Sequence, residues 1–559
     1  MVRHHYITMK RKFNSWVIPF LFIALLVYTR FVGLDWGMPY PMHPDERNMV
    51  IGIHTINCVG GLSFDCLNPK FYAYGQLPLY VARGIMWVSQ ALIPPVLALR
   101  IISAIASVAT VFFLMKSVRR LVNVSHLRLF LVSTVFIFTP VFIQFAHFGT
   151  TESALMLAAS ILIYLSLRFM QKTLSSGSYI LCVGIVLGIA VGVKVSALLL
   201  ASIPFFTYSI HFNRSEEKHV LYTLFSLFRI GVIMMVFFII TSPYNIIDFQ
   251  GFIHSMNYES SVGTGEYRAF YTRSFEYAIP GLFQLVNVFP FALGLPIMLL
   301  GLWGCITLSW KRAEYNIIRI VLLLLFVPNA LLYAKWTRFL APFFPLFILI
   351  AAVSYAQIVN KIKHHFIAII IACIIIVPGV AFLAIYQHPD VRFKASAWIY
   401  EHVPSDSFIL FETANVVDVP IPNPLVDQLV SAALHYETDS FNYYDLDMIP
   451  ELEQDLKESM NKADYIIVPS RRVFANHSCR ATSWGYQQDR CEKLEAAYPL
   501  VNRYYDELLE SGRFEYVTSF SSFPRIELFG KTLISFPDEQ AEETWTVFDH
   551  PVIRIYKKV

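Results

Sequence analysis

Residues 10–34 read KRKFNSWVIPFLFIALLVYTRFVGL, and this stretch decides what kind of protein the rest can be. Lys10, Arg11 and Lys12 precede an apolar run from Trp16 to Leu34, close to the ~20 residues that a bilayer core requires of a helix. No small-residue cleavage site closes the run, which predicts a retained membrane helix rather than a signal peptide. Further apolar runs follow at Val96–Met115, Leu129–Phe145, Ala154–Phe169, Tyr179–Tyr208, Ile230–Ser242, Leu285–Leu308, Ile317–Tyr333, Phe339–Ala356 and Phe366–Tyr386. Composition agrees. Of 559 residues, 56% are hydrophobic and only 15% charged, whereas soluble domains carry roughly 25% charged residues.

Charge placement orients these runs. Lys116, Arg119 and Arg120, then Arg168 and Lys172, then Arg214 and Lys218, then Lys311 and Arg312 fall between apolar runs, where basic groups mark the cytoplasmic side. For Arg168/Lys172 and Arg214/Lys218 to share that side, Tyr179–Tyr208 must leave and return. It is expected to form two short helices turning near Gly192-Val193-Lys194. The reading is a polytopic α-helical membrane protein of the plasma (inner) membrane, with about eleven transmembrane helices and a cytoplasmic N-terminus.

Residues 1–386 make up the helical module, within which residues 35–95 form a long, juxtamembrane first outer loop. From residue 387 to 559 charges return. Short β-rich runs (Phe408–Phe411, Tyr465–Val468, Phe514–Val517, Val552–Tyr556) alternate with polar helical stretches such as Glu451–Met460. That alternation predicts an extracytoplasmic C-terminal α/β domain. Cysteines fit this division. Cys182, Cys305 and Cys373 fall within spans, Cys58 and Cys66 share the first outer loop, and Cys479 and Cys491 share the tail. Two close outer pairs suit disulfides in an oxidising compartment, with four free thiols as the alternative because spacing does not fix connectivity.

Three groups of residues can carry chemistry. In His43-Pro44-Asp45-Glu46-Arg47, adjacent carboxylates beyond the first span can raise one another's pKa and supply a general base. Equally, Pro44 can start a helix whose positive N-terminus favours both acids. His147 and Glu152 lie at the outer junction of two spans, where ionisable groups tend to be functional. Arg100, Lys194 and Arg338 sit at outer helix ends, suited to a lipid phosphate, to a carboxylate of this chain, or to headgroups reached by snorkelling. Other signals are missing or weak. The net charge of +4 is small and dispersed, so nucleic acid is not an expected partner. There is no GxxxxGK[ST] phosphate loop and no HExxH or paired Cys/His metal spacing. Asp445-Leu446-Asp447 has DxD spacing but is read as surface charge.

Taken in order, these residues resemble the glycosyltransferase-C superfamily, close to protein O-mannosyltransferases and the aminoarabinose transferases of lipid A. The resemblance rests on Asp45-Glu46, Asn68-Pro69…Tyr74…Leu77-Pro78-Leu79-Tyr80, Ala98-Leu99-Arg100-Ile101-Ile102-Ser103-Ala104, and His147…Glu152. It continues through the Gly188…Gly192…Lys194 turn, Ser242-Pro243-Tyr244…Asp248, Arg338-Phe339-Leu340-Ala341-Pro342 and Asp390-Val391-Arg392…Ala395…Ala397-Trp398-Ile399. The chain departs from it in carrying Glu152 where many relatives have Asp. It also lacks the WWD-type signature of oligosaccharyltransferases, which argues against N-linked oligosaccharide transfer.

The resemblance implies an inverting, cofactor-free and metal-independent transfer of a hexose or pentose from a polyprenyl-phosphate-linked donor to an acceptor hydroxyl of a protein, lipid or glycan. Asp45 is expected as the base and Glu46 as its positioning partner. Lys194, Arg100 and Arg338 are expected on the donor phosphate, and His147, Glu152, Tyr74 and Tyr258 as substrate contacts. A secondary transporter or lipid flippase is the other reading, and it calls for inverted repeats and interrupted helices near the membrane midplane.

Overall fold

The structure, a computed structural model, describes residues 2–58, 63, 65–211, 217–362, 364–412, 417–478 and 488–559. The chain opens with α1 (Val2–Phe31), α2 (Pro44–Thr55), α3 (Leu77–Val88), α4 (Pro95–Leu121), α5 (His126–Ile137), α6 (Pro140–His147), α7 (Glu152–Met170) and α8 (Ser176–Val193). Next come α9 (Ser202–His211), α10 (Glu217–Thr241), α11 (Tyr244–Ile247), α12 (Phe249–Thr264), α13 (Phe289–Ala292), α14 (Leu295–Thr307), α15 (Ala313–Leu331), α16 (Phe343–Lys361) and α17 (His365–Leu383). Among the described residues seven helices are long and apolar enough to cross a membrane, or up to nine if each of two bent pairs is one span. The expected eleven is reached only with two shorter apolar pieces, Val17–Phe31 and Val195–Ile210. The second of these begins as a 3₁₀ turn, Val195–Ala201.

That short piece is the return arm of the Tyr179–Tyr208 segment. Tyr179 near the start of α8 and Tyr208 near the end of α9 are 5.7 Å apart between ring centroids, and Ser176 Oγ lies 3.3 Å from Tyr208 Oη. The chain therefore doubles back at Lys194, where α8 ends in extended backbone.

Both bent pairs follow from proline and glycine. Between α5 and α6 the axis turns by 56° at Thr139-Pro140, since proline lacks an N–H and disfavours helical backbone in the residue before it. The break leaves helix-end carbonyls that water cannot reach. The fully buried Arg30 donates to Phe136 O (2.9 Å) and Ile137 O (3.0 Å). The second pair turns by 116° ahead of α14. There Gly294 has φ +75°, and a Cβ would lie 2.7 Å from Pro378 Cγ, so both the backbone and the neighbour require glycine.

The remaining elements are α18 (Val391–His402), β1 (Phe408–Glu412), α19 (Gln428–Ala433), β2 (Glu437–Phe441), α20 (Glu451–Lys462), β3 (Tyr465–Val468), α21 (Arg472–His477), α22 (Gln488–Ala497) and α23 (Pro499–Glu510). They end with β4 (Phe514–Phe520), β5 (Arg525–Leu528), β6 (Lys531–Ser535), α24 (Glu543–Val547) and β7 (Ile553–Lys558). Five strands form one sheet in the order β2-β1-β3-β7-β4, parallel across β2, β1 and β3 and antiparallel at β7. Alternation fills both faces. Ile409, Ile467 and Ile555 pack with Val391, Ala395 and Ile399 of α18, whereas Leu410, Ile466 and Tyr556 pack with Leu456 of α20 and Tyr504 and Leu508 of α23. A separate hairpin, β5–β6, lies against α17.

Cys58 and Cys66 form a disulfide with Cα atoms 5.0 Å apart. Cys491 is disulfide-bonded as well, while Cys479, like Arg214, lies outside the described residues. The DxD carboxylates are not free surface charge. Asp447 accepts the N–H groups of Leu500 (2.7 Å) and Val501 (3.2 Å) at the start of α23, and Asp445 accepts from Asn442.

Candidate active site

The site begins with α2. His43 is its N-cap, accepting the Asp45 N–H at Nδ1 (3.1 Å), and Pro44 occupies the first turn. Consecutive helical residues point about 100° apart, so Asp45 and Glu46 face different neighbours. Glu46 turns inward and is fully buried. Arg100 binds it with Nε–Oε1 at 2.9 Å and Nη2–Oε2 at 2.8 Å, and the Gly149 N–H donates to it at 2.6 Å. Arg100 also donates to the carbonyls of Leu34 and Trp36 and lies 4.1 Å from the Trp36 ring centroid. The two residues are expected at the substrate and on the donor phosphate; in the structure they bind each other, fully buried, and line neither of the two cavities at this site. Instead they fix α2 against α4 and the turn before α7.

Asp45 turns the other way, toward the cations. Arg338 Nη1 lies 3.5 Å from Asp45 Oδ2, and the guanidinium is 4.3 Å from the Trp336 ring centroid. Lys194 Nζ lies 3.3 Å from Glu152 Oε1. Tyr74 lies between the two pairs: its hydroxyl is among the groups that favour the ionised Asp45 carboxylate, and its ring centroid is 4.8 Å from the Lys194 ammonium. A backbone approach sets this up. Gly75 N–H donates to Val193 O at 2.8 Å, and a Cβ on Gly75 would lie 1.5 Å from Gly192 O. No other residue lets the Tyr74 loop meet the Lys194 turn so closely.

Electrostatics follow from that arrangement. Burial pushes the Asp45 carboxyl up, but Arg338, His43, Tyr74 and Lys194 outweigh it and hold it at about 2. The expected rise from adjacent acids is not seen at Asp45, which is lowered by the cations around it, while Glu46 is paired with Arg100. Burial lowers the Arg338 pKa, yet Asp45, Tyr74 and Glu152 together raise it above the ordinary value.

Two cavities meet at these residues. Lys194 and Arg338 line one of about 260 Å³, whose other walls include Leu155, Leu199, Met256 and Phe343. A smaller one, about 20 Å³, is lined by Asp45, Glu152 and Arg338 together with Gln144, Thr544 and Trp545. Lys194, Arg338, Asp45, Glu152 and Tyr74 therefore come together. Tyr258, on α12, is half exposed with its hydroxyl 3.3 Å from that of Tyr271.

His147 does not join them. Its Nδ1 is 2.7 Å from Ile143 O, its Nε2 2.8 Å from Val32 O, and its ring stacks on Tyr386 at 3.8 Å. Both nitrogens of this buried ring face backbone carbonyls, and the ring lines neither of the two cavities, so the structure gives His147 a place in the packing of the bundle.

Sequence reasoning missed Glu259 and the α24 region. Glu259 lines the 260 Å³ cavity beside Lys194 and Arg338, and burial raises its carboxyl above the ordinary value. Next to α24, Glu542 accepts both the N–H and the hydroxyl of Thr337 at 3.0 Å, holding the residue before Arg338. Gln144 Nε2 donates to Trp545 O at 2.8 Å. Glu259 followed Tyr258 in an amphipathic stretch that could have flagged it. Nothing local marks Trp545, because the fold alone brings it to the site.

Residues 80–243 match the family model for dolichyl-phosphate-mannose-protein mannosyltransferases. The match agrees with the resemblance read from the sequence. It takes in Glu152 and Lys194, while Asp45 and Arg338 lie outside it. No curated protein matches the chain. Among solved structures, the chain is similar to an oligosaccharyltransferase of Archaeoglobus fulgidus in complex with zinc and sulfate, at 12% identity over 91% of this chain and 72% of that one, with a TM-score of 0.47. It is also similar to ArnT from Cupriavidus metallidurans bound to undecaprenyl phosphate, at 14% identity over 82% and 94%, with a TM-score of 0.44. A third is arabinofuranosyltransferase AftD from Mycobacteria, at 10% identity over 98% and 41%, with a TM-score of 0.41. At these TM-scores none of the three bears on the site.

Proposed function

We propose that this chain is an inverting glycosyltransferase that moves a sugar from a polyprenyl-phosphate donor to an acceptor hydroxyl. One observation carries the reading: Lys194 and Arg338 line a single cavity, and Arg338 also lines the small adjoining cavity where it pairs with Asp45. Each cation is held by one carboxylate, Glu152 or Asp45. A phosphate entering between them exchanges those partners for charge-assisted contacts of its own. The apolar walls of the same cavity suit the prenyl chain. The family match over residues 80–243, described by its lipid-phosphate donor, supports the same class.

The chemistry follows from the exchange. Once Arg338 turns to the phosphate, Asp45 loses its strongest counter-ion and becomes a better base. The acceptor oxygen attacks the anomeric carbon from the side opposite the phosphate, and its proton passes to Asp45. The anomeric C–O bond breaks, and the polyprenyl phosphate departs with its developing charge stabilised by Lys194 and Arg338. Glu152 and Glu259 present carboxyl oxygens to the sugar hydroxyls, and Tyr74 keeps Asp45 in place.

Lys194→Met tests the phosphate assignment. A hydrogen bond to a charged group contributes ~1.5–3 kcal/mol, so polyprenyl phosphate should bind about 10- to 100-fold more weakly. Thermophoresis of the detergent-solubilised protein can read this directly. Unchanged binding would mean that Lys194 serves only Glu152.

A further inference from the structure

We propose that the acceptor is itself membrane-anchored: its hydrocarbon part occupies a second, apolar cavity and its hydroxyl-bearing head meets Asp538. This rests on the glycosyl-transfer reading and names the substrate class which that site serves.

The cavity is large, about 690 Å³, and opens where both bent helix pairs break. Pro140 contributes from the first break, Gly294 and Pro296 from the second, and Pro378 from within α17. Pro524, Phe536 and Pro537, at the base of the β5–β6 hairpin, form its roof. The tip of that hairpin is apolar and exposed. Phe529 is 95% exposed, and Leu528 and Leu533 are more than half exposed, beside the apolar helix α17. Such a tip beside a membrane span belongs in lipid. The roof therefore sits at the bilayer boundary, where a lipid can enter beneath it.

One charged side chain lines this cavity. Asp538 is 3% exposed, and its Oδ2 takes His550 at 2.9 Å while Oδ1 has no hydrogen-bond partner. A buried carboxylate oxygen without a donor is unfavourable. A hydroxyl from the cavity would supply one after a turn of the side chain, since Oδ1 is itself buried. The sign of the charge also separates this cavity from the other. A carboxylate repels a phosphate, whereas Lys194 and Arg338 attract one, so the donor and acceptor lipids have different seats. The two seats adjoin. Trp545 lines both this cavity and the small one holding Asp45. Gln144, in the Asp45 cavity, donates to Asp549 at 3.2 Å, and Asp549 in turn pairs with His550. Trp545 is thus the side chain that separates the two cavities, and the path of contacts from Asp538 runs through His550, Asp549 and Gln144 to the cavity of the base.

The test uses the full chain in nanodiscs and two photoreactive probes of equal length, an alkyl β-glucoside and an alkyl phosphate, each with a diazirine in mid-chain. Peptide mapping should place saturable glucoside labelling on Ile374–Ala381 and Phe291–Pro296, at least tenfold above the alkyl phosphate. Val377→Trp, which fills the cavity, should lower it at least tenfold. Ile374→Trp, at a second lining position, should do the same if the first variant folds poorly. Asp538→Asn should narrow the preference for glucoside over phosphate. Equal labelling by both probes, or labelling that survives both fillings, would show annular lipid only and overturn the inference. Donor consumption is measured in the same discs. Turnover lost while labelling persists counts against the transfer reading and takes the acceptor role with it. Turnover intact while specific labelling is absent counts against the anchored acceptor alone.

Discussion

Replacing Asp45 with asparagine should lower sugar transfer by about 10²- to 10⁴-fold, the usual contribution of a positioned general base. The variant keeps the size and most hydrogen bonds of the side chain, so Arg338 and Lys194 stay available and donor binding should be nearly intact. The pH profile gives a second signature. In the free protein the carboxyl is held at about 2, so kcat/KM should show no acid limb from Asp45 at ordinary pH. With the donor bound, Arg338 is shared with phosphate and the carboxyl rises. The acid limb of kcat should then lie at higher pH than that of kcat/KM, because the first reports the complex and the second the free enzyme. Wild-type turnover in the variant would reduce Asp45 to a helix-capping acid.

Arg100→Met should instead cost folding stability. Arg100 and Glu46 are both fully buried and bound to each other through two hydrogen bonds. Removing the arginine leaves a carboxylate with only the Gly149 N–H, and breaking such a pair typically destabilises by ~3–5 kcal/mol. Chemical denaturation in detergent should show this loss. Adding Glu46→Gln should restore a substantial part of it, since the orphaned charge is then gone. A variant of normal stability with impaired donor binding would return Arg100 to the phosphate.

The contrast between these two residues shows how far the sequence could be read. Asp45 and Glu46 stand side by side in the chain, and their types alone mark a place where acids gather. Which of them faces the site depends on the phase of α2, set by Pro44 and the His43 cap. Lys194 was legible because charge placement forced the chain to turn there, and Tyr179 against Tyr208 has that hairpin geometry. His147 misled for the opposite reason. A histidine at a helix break can serve chemistry or backbone carbonyls, and the choice depends on Val32 and Tyr386, both distant in sequence. Trp545 and Asp538 were invisible, because only the docking of α24 and the hairpin against the bundle gives them neighbours. The transporter reading expected interrupted helices. Among the described residues two bent pairs are present, and their breaks line the apolar cavity rather than the charged one.

The most direct test of the account is donor consumption by the purified full chain in nanodiscs. Synthetic polyprenyl-phosphate hexoses and pentoses would be supplied in parallel with nucleotide sugars, with an alkyl glucoside added and water present as acceptors of the sugar, and release of free polyprenyl phosphate followed by mass spectrometry. The account predicts release from at least one lipid donor, none from nucleotide sugars, and loss of that release in both Asp45→Asn and Lys194→Met. Release that persists in both variants, or consumption of nucleotide sugars alone, would contradict it.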